Sequence, residues 1–201
     1  MKENESIEEQ ILVAAFNVFV EKGFENAKMQ DIANQAGIKR TVLNYYFRSK
    51  ELLYQKIAKT ILRQALPNML KILNSDLSFE QKIKDFVENY IDLGLKNPFM
   101  PLFIINELNH LGSAFIEKML DGVKPDIDIF LEHVKDEMDK GNIVKINPIQ
   151  VLLHIISLCA FPIIGKPMVM LITNSNEKLY IEIIQERKAE ITRLVLKGLK
   201  P

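Results

Sequence analysis

Between Met29 and Phe47 the chain reads MQDIANQAGIKRTVLNYYF, and the order of small, glycine and apolar residues there leaves few folds open. Two short helices crossing at a tight turn need a small residue at their contact, a residue that tolerates positive φ in the turn, and an apolar stripe on each helix. Ala33, Gly37 and the set Ile32, Ala36, Ile38, Leu43 and Tyr46 meet those needs. The spacing predicts a helix-turn-helix over about residues 28–47. Lys39, Arg40, Thr41, Asn44 and Tyr45 are then left facing outward. They are donors and acceptors of the kind that meet phosphates and base edges.

The flanks supply a scaffold for this pair. Ser6-Ile7-Glu8-Glu9 is a capping-box sequence, after which Ile7, Ile11, Ala14, Ala15, Val18 and Phe19 recur at helical spacing as far as Gly23, a left-handed stop. Beyond Phe47, Ser49 is an N-cap candidate, and Leu52, Leu53, Ile57, Ile61 and Leu62 run on as a long fourth helix over about 50–74. Pro67 lies inside that helix and predicts a kink near residues 63–66.

Taken together, ILVAAFNVFVEKGF, MQDIANQAGI and LNYYFRSKELL resemble the N-terminal DNA-binding domain of the TetR family of bacterial repressors, over roughly the first third of the chain. The resemblance implies a homodimer that binds a double-stranded DNA operator and answers to a small-molecule effector. By the same resemblance Tyr46 and Lys50 grip phosphates, Arg40, Thr41, Asn44 and Tyr45 meet bases, and Lys28 and Lys39 lie near the DNA backbone. Three positions depart from the family pattern. Lys28 stands where Ser or Thr is usual, Thr41 where a small residue is usual, and Asn44 where Tyr is common. The operator sequence therefore cannot be borrowed from relatives.

The formal net charge is +0, which argues against nucleic acid until the charges are placed. From Lys39 to Arg63 the chain carries Lys39, Arg40, Arg48, Lys50, Lys56, Lys59 and Arg63 against Glu51 alone, while Glu3, Glu5, Glu8 and Glu9 crowd the N-terminal end. The basic stretch coincides with the candidate recognition helix. No secretory signal opens the sequence, so a cytoplasmic address is expected. The most apolar stretch, residues 151–172, is broken by His154, Pro162, Gly165, Lys166 and Pro167 and suits a packed helix better than a membrane span. Cys159 sits among apolar neighbours and reads as an inert thiol.

The expected fold class is all-α. A helix-turn-helix domain over 1–50 is followed by a larger helical domain over 51–201 for ligand binding and dimerisation. Helices are predicted over 78–96, 126–140, 151–164 and 177–199, with short ones between 100 and 120. Residues 151–164 are apolar nearly all round, more than one subunit is expected to cover, so a seam with a second copy is assigned to Leu153, Ile156, Ile184, Ile191, Leu194 and Val195. Phe103, Asn106, His110, Phe130 and Phe161 are the candidate ligand-lining residues, bulky apolar groups with a few polar ones. A single Glu107-x-x-His110 is half of what a di-iron bundle needs, so no metal, cofactor or catalytic machinery is assigned. The competing reading is an all-helical adaptor, or a small-molecule-binding protein or enzyme, that does not bind DNA.

Overall fold

The structure, a computed structural model, describes residues 6–111 and 126–201, and every regular element among them is an α-helix. In chain order these are α1 (Ile7–Asn26), α2 (Met29–Gln35), α3 (Arg40–Tyr46), α4 (Lys50–Leu73), α5 (Phe79–Lys96), α6 (Met100–Leu111), α7 (Asp128–Asp139), α8 (Pro148–Ile164), α9 (Lys166–Thr173) and α10 (Glu177–Gly198). The chain forms two compact units, Met1–Arg63 and Gln64–Pro201, which divide inside α4 rather than at its start. The first turns of α4 belong to the smaller unit because Leu53, Ile57 and Ala58 are buried and the Tyr54 ring meets Phe19 edge-on at 5.2 Å.

In the smaller unit α1 begins with the expected reciprocal cap. The Glu9 backbone N–H donates to Ser6 Oγ at 3.2 Å, and the Ser6 N–H donates to Glu9 Oε2 at 2.9 Å. Ile11, Ala14, Ala15, Val18 and Phe19 form the buried stripe, whereas Ile7 lies outside it, 43% exposed. The helical run is interrupted at Gly23, where φ is 73° and ψ 162°.

In the larger unit α5 packs against α7, α8 and α10, and α8 against α6, α7, α9 and α10. Residues Ile83, Phe86, Val87 and Ile91 of α5 share one apolar core with Val151, Ile155, Cys159 and Ile163 of α8 and with Tyr180, Ile184, Ile191 and Val195 of α10. Side-chain caps set the starts of these helices: Ser78 Oγ accepts from the Gln81 N–H, Asn147 Oδ1 from Ile149 and Asn176 Oδ1 from Leu179. Polar ties join them: the Tyr180 hydroxyl donates to the Pro162 carbonyl at 3.1 Å, and Lys188 Nζ reaches Asp92 Oδ1 at 2.6 Å. Burial pushes the Cys159 thiol up to about 12, with Arg187 opposing, a cationic neighbour that local sequence does not reveal. α4 continues through Pro67 without a break. No single described helix is long and apolar enough to cross a membrane, although α8 and α9, bent by 74°, pass that test as a pair.

Three of the expected seam residues are core residues instead. Ile184, Ile191 and Val195 are buried within their own subunit, because the apolar stripe of α10 is taken up by α5 and α8. Leu153 and Leu194 are about half exposed, and Ile156 is half-buried.

At Gly94 the α5 backbone comes so close to α8 that an added Cβ would lie 2.2 Å from Ile163 Cδ1 and 3.3 Å from its Cγ1. Helix propensity alone favours alanine there by about 1 kcal/mol, but forcing a methyl into a filled core costs about 1–3 kcal/mol. Gly94→Ala is expected to lower stability in urea denaturation. The double variant with Ile163→Val, which removes the obstructing methyl, is expected to be less destabilised than the sum of the two single variants.

Candidate nucleic-acid interface

The interface is built on α2, the turn after it, and α3. At the start of α2 the Asp31 carboxylate accepts from the Lys28 backbone N–H at 3.1 Å and pairs with Lys22 Nζ at 3.1 Å. The Lys22 hydrogen bond, then the Lys28 amide, hold its pKa below the ordinary carboxylate value. At the end of α2, Gly37 adopts φ 67°. Its N–H donates to the Asn34 carbonyl at 3.1 Å while the Ile38 N–H donates to the Ala33 carbonyl at 3.0 Å, the two bonds of a Schellman stop. Ala33 and Ile32 are completely buried at the helix contact.

α3 anchors itself through Leu43, which is fully buried, and through Phe47 just beyond its end. Residues 40, 41, 44 and 45 fall one helical turn apart in pairs, so Arg40, Thr41, Asn44 and Tyr45 share one side of α3, and all four are exposed. Tyr45 is 84% exposed. Lys28 and Lys39 are exposed as well, and Lys28, Lys39 and Arg40 form no ion pair among the described residues. The Tyr46 side chain belongs with this outer surface rather than with the core. It is 40% exposed and packs edge-on against Tyr45 at 5.4 Å, because Phe47 fills the core position instead. Arg48 in the following turn is also exposed, a cation whose only sequence signal is its place in the basic run.

Lys50 differs from the free cation expected at the start of α4. Its Nζ donates to the carbonyls of Phe24, Glu25 and Ala27 at 2.8, 3.2 and 3.4 Å, and lies 4.4 Å from the centre of the Phe24 ring. Ser49 caps the helix as expected, its Oγ accepting from the Leu52 N–H at 3.3 Å. Phe24 in turn packs on Tyr54, with ring centres 4.6 Å apart.

Of the five candidate ligand-lining residues, the two whose side chains are described, Phe130 and Phe161, face different ways. Phe130 is fully buried in the core with its ring stacked on Phe79, so it fills space rather than lining it. Phe161 is 57% exposed, turned away from the core because Cys159, Pro162 and Ile163 occupy the inner side of α8. The side chains of Phe103, Asn106 and His110, and of Glu107 in the half-motif, lie outside the described residues. A cavity of about 370 Å³ opens elsewhere, among Phe79, His133, Glu137, Ile143, Leu196 and Leu199. Burial, reinforced by Lys82, lowers the His133 pKa there.

A three-helix head with an outward-facing polar α3, carried on the first turns of a long fourth helix, is that of a helix-turn-helix DNA-binding protein. Residues 11–57 match the family model described as bacterial regulatory proteins, tetR family: the smaller unit carries that family's DNA-binding domain, and the chain is a DNA-binding transcriptional regulator. It is 24% identical to the HTH-type transcriptional regulator RutR of Escherichia coli K12 over 192 residues, covering 95% of this chain and 89% of that one. It is also 24% identical to the biofilm operon icaADBC HTH-type negative transcriptional regulator IcaR of Staphylococcus epidermidis, over 52% of this chain and 60% of that one. The crystal structure of the transcriptional regulator FadR from Bacillus subtilis in complex with stearoyl-CoA superimposes with a TM-score of 0.61 at 16% identity, covering 94% of this chain and 98% of that one. The helices of the described residues thus follow the fold of such solved regulators.

Nothing lies within 4 Å of a Cβ built at Gly37, so a side chain there meets only the backbone cost of positive φ. Gly37→Ala is expected to destabilise the head by about 1–2 kcal/mol, and Gly37→Asn by less, since Asn tolerates the left-handed region. Thermal unfolding followed by circular dichroism should rank them wild type, Asn, Ala.

Proposed function

We propose that the protein is a homodimeric repressor that occupies a pseudo-palindromic operator and leaves it when a small, largely apolar effector binds the larger unit. The observation that carries the reading is the α3 surface of Arg40, Thr41, Asn44 and Tyr45, exposed together on a helix fixed from behind by Leu43 and Phe47. In this reading those four side chains meet base edges. Lys28, Lys39 and Tyr46 hold phosphates to either side. Repression is supported by the negative regulator IcaR among the relatives, and an apolar effector by the stearoyl-CoA bound to the structural relative FadR. Its place of action is the cytoplasm, where the operator is.

Two heads need a two-fold axis. The apolar groups that a single subunit leaves exposed on its last long helices, Leu153 and Phe161 on α8 and Leu194 on α10, with Ile156 beside them, support a seam between copies there. Such a dimer presents paired recognition helices about 34–36 Å apart, one turn of DNA.

Selection of binding sites from a random DNA pool should return an inverted repeat with that spacing, and a sequence without two-fold symmetry would overturn the model. On the selected site, Asn44→Ala is expected to cost about 1–3 kcal/mol at particular bases, while Lys39→Ala should weaken all sequences alike and flatten the salt dependence by about one unit. Sedimentation should show the wild type as a dimer at micromolar concentration and Leu194→Glu as a monomer. For the effector, acyl-CoA binding measured by calorimetry with and without operator should give two affinities. Their ratio must equal the ratio by which the acyl-CoA weakens operator binding.

A further inference from the structure

The two stretches of chain that flank the helix-turn-helix meet at one atom. Phe24, Glu25 and Ala27 lead into α2, and Lys50 follows α3 after a three-residue turn. The Lys50 ammonium joins them by donating to the three carbonyls on the entering strand of chain. Those carbonyls are the ones left over where Gly23, at φ 73°, breaks α1 short of its end, and such a helix terminus carries partial negative charge. An ammonium has three N–H donors and no acceptor. Three carbonyl acceptors lie within 3.4 Å of the Lys50 nitrogen and the Phe24 ring face 4.4 Å from it, partners enough for all three N–H groups without a phosphate.

We propose that Lys50 is a positioning residue of the DNA-binding head: its caged ammonium staples the chain entering α2 to the chain leaving α3, and so fixes the orientation of the recognition helix without touching DNA. The inference rests on the assignment of α2 and α3 as the DNA-reading pair. It separates Lys50 from Lys39 and Lys28, which are exposed and form no ion pair among the described residues. Tying together the two ends of the segment that holds α2 and α3 removes conformations that the pair would otherwise sample, which favours binding by pre-organisation.

The test uses the full-length protein on its selected operator. Lys50→Met is expected to lower affinity about tenfold or more, comparable to the loss of one well-read base pair, while the slope of log affinity against log salt stays at the wild-type value. Lys50→Arg, which keeps the charge, is expected to give no rescue, because a planar guanidinium cannot direct donors at three convergent carbonyls. A slope shallower by about one unit in Lys50→Met, with affinity restored in Lys50→Arg, would show a phosphate contact and overturn the inference. Should either variant unfold, the ¹⁵Nζ resonance of Lys50 in the wild type decides. Slow hydrogen exchange that is unchanged on adding operator supports the cage, and a resonance that exchanges fast without DNA and becomes protected only with it overturns it. Absence of any salt-dependent DNA binding by the wild type would instead overturn the DNA assignment itself.

Discussion

The helix contact at Ala33 is the constraint on which the recognition surface depends. Ala33 and Ile32 are fully buried, and Gly37 reverses the chain through two backbone hydrogen bonds, so α2 turns into α3 on a packed base. A larger side chain at Ala33 would have to displace the core around it, and α3 is seated on that core through Leu43, its one buried residue. The outward residues of α3 hold their positions because of residues that never reach the surface. The short helix has too few turns to be stable alone, and its packing rather than its propensity keeps it formed.

What could be read in the sequence follows the reach of each interaction. Ser6 with Glu9, Gly37 with Asn34, and Ser49 with Leu52 are partners within three residues, so composition and spacing were enough to place them. Ile184, Ile191 and Val195 were assigned to the right stripe of their helix but to the wrong partner. Periodicity shows that a face is apolar and cannot show whether α5 and α8 of the same chain or a second copy covers it. For Tyr46 periodicity points to the core and the family resemblance to the DNA-facing side: it and Phe47 both suit a core, and the rotation at the end of α3 buries Phe47 and leaves Tyr46 40% exposed. Lys50 finds its carbonyl partners 23 to 26 residues earlier, a distance at which a basic residue in a basic run looks like any other.

The helical core of the larger unit explains why single residues were poor guides to a ligand pocket. Phe130 lies among charged residues in DIDIFLEHV and Phe161 in the apolar run SLCAFPIIG, yet it is Phe130 that is stacked inside on Phe79 and Phe161 that is turned outward. Aromatic content indicates how much apolar surface must be covered and leaves open which ring covers what. Of the polar ties, the buried bond from Tyr180 to Pro162 marks an inner face, while Lys188 and Asp92 link α10 to α5 at the edge of the core, where Asp92 is half exposed.

The close approach of Gly94 to Ile163 has a mechanical meaning. Where a side chain from one helix rests on the bare backbone of another, there is no intervening layer to be compressed, and the two rods engage like a tooth in a notch. Sliding α5 along its axis must drag α8 with it or drive Ile163 out of its seat. Such a seat resists sliding of α5 past α8 more than it resists rotation about the contact. A bound molecule that wedges α5 aside would be felt at α8 as a turn about this point rather than as a loosening of the bundle.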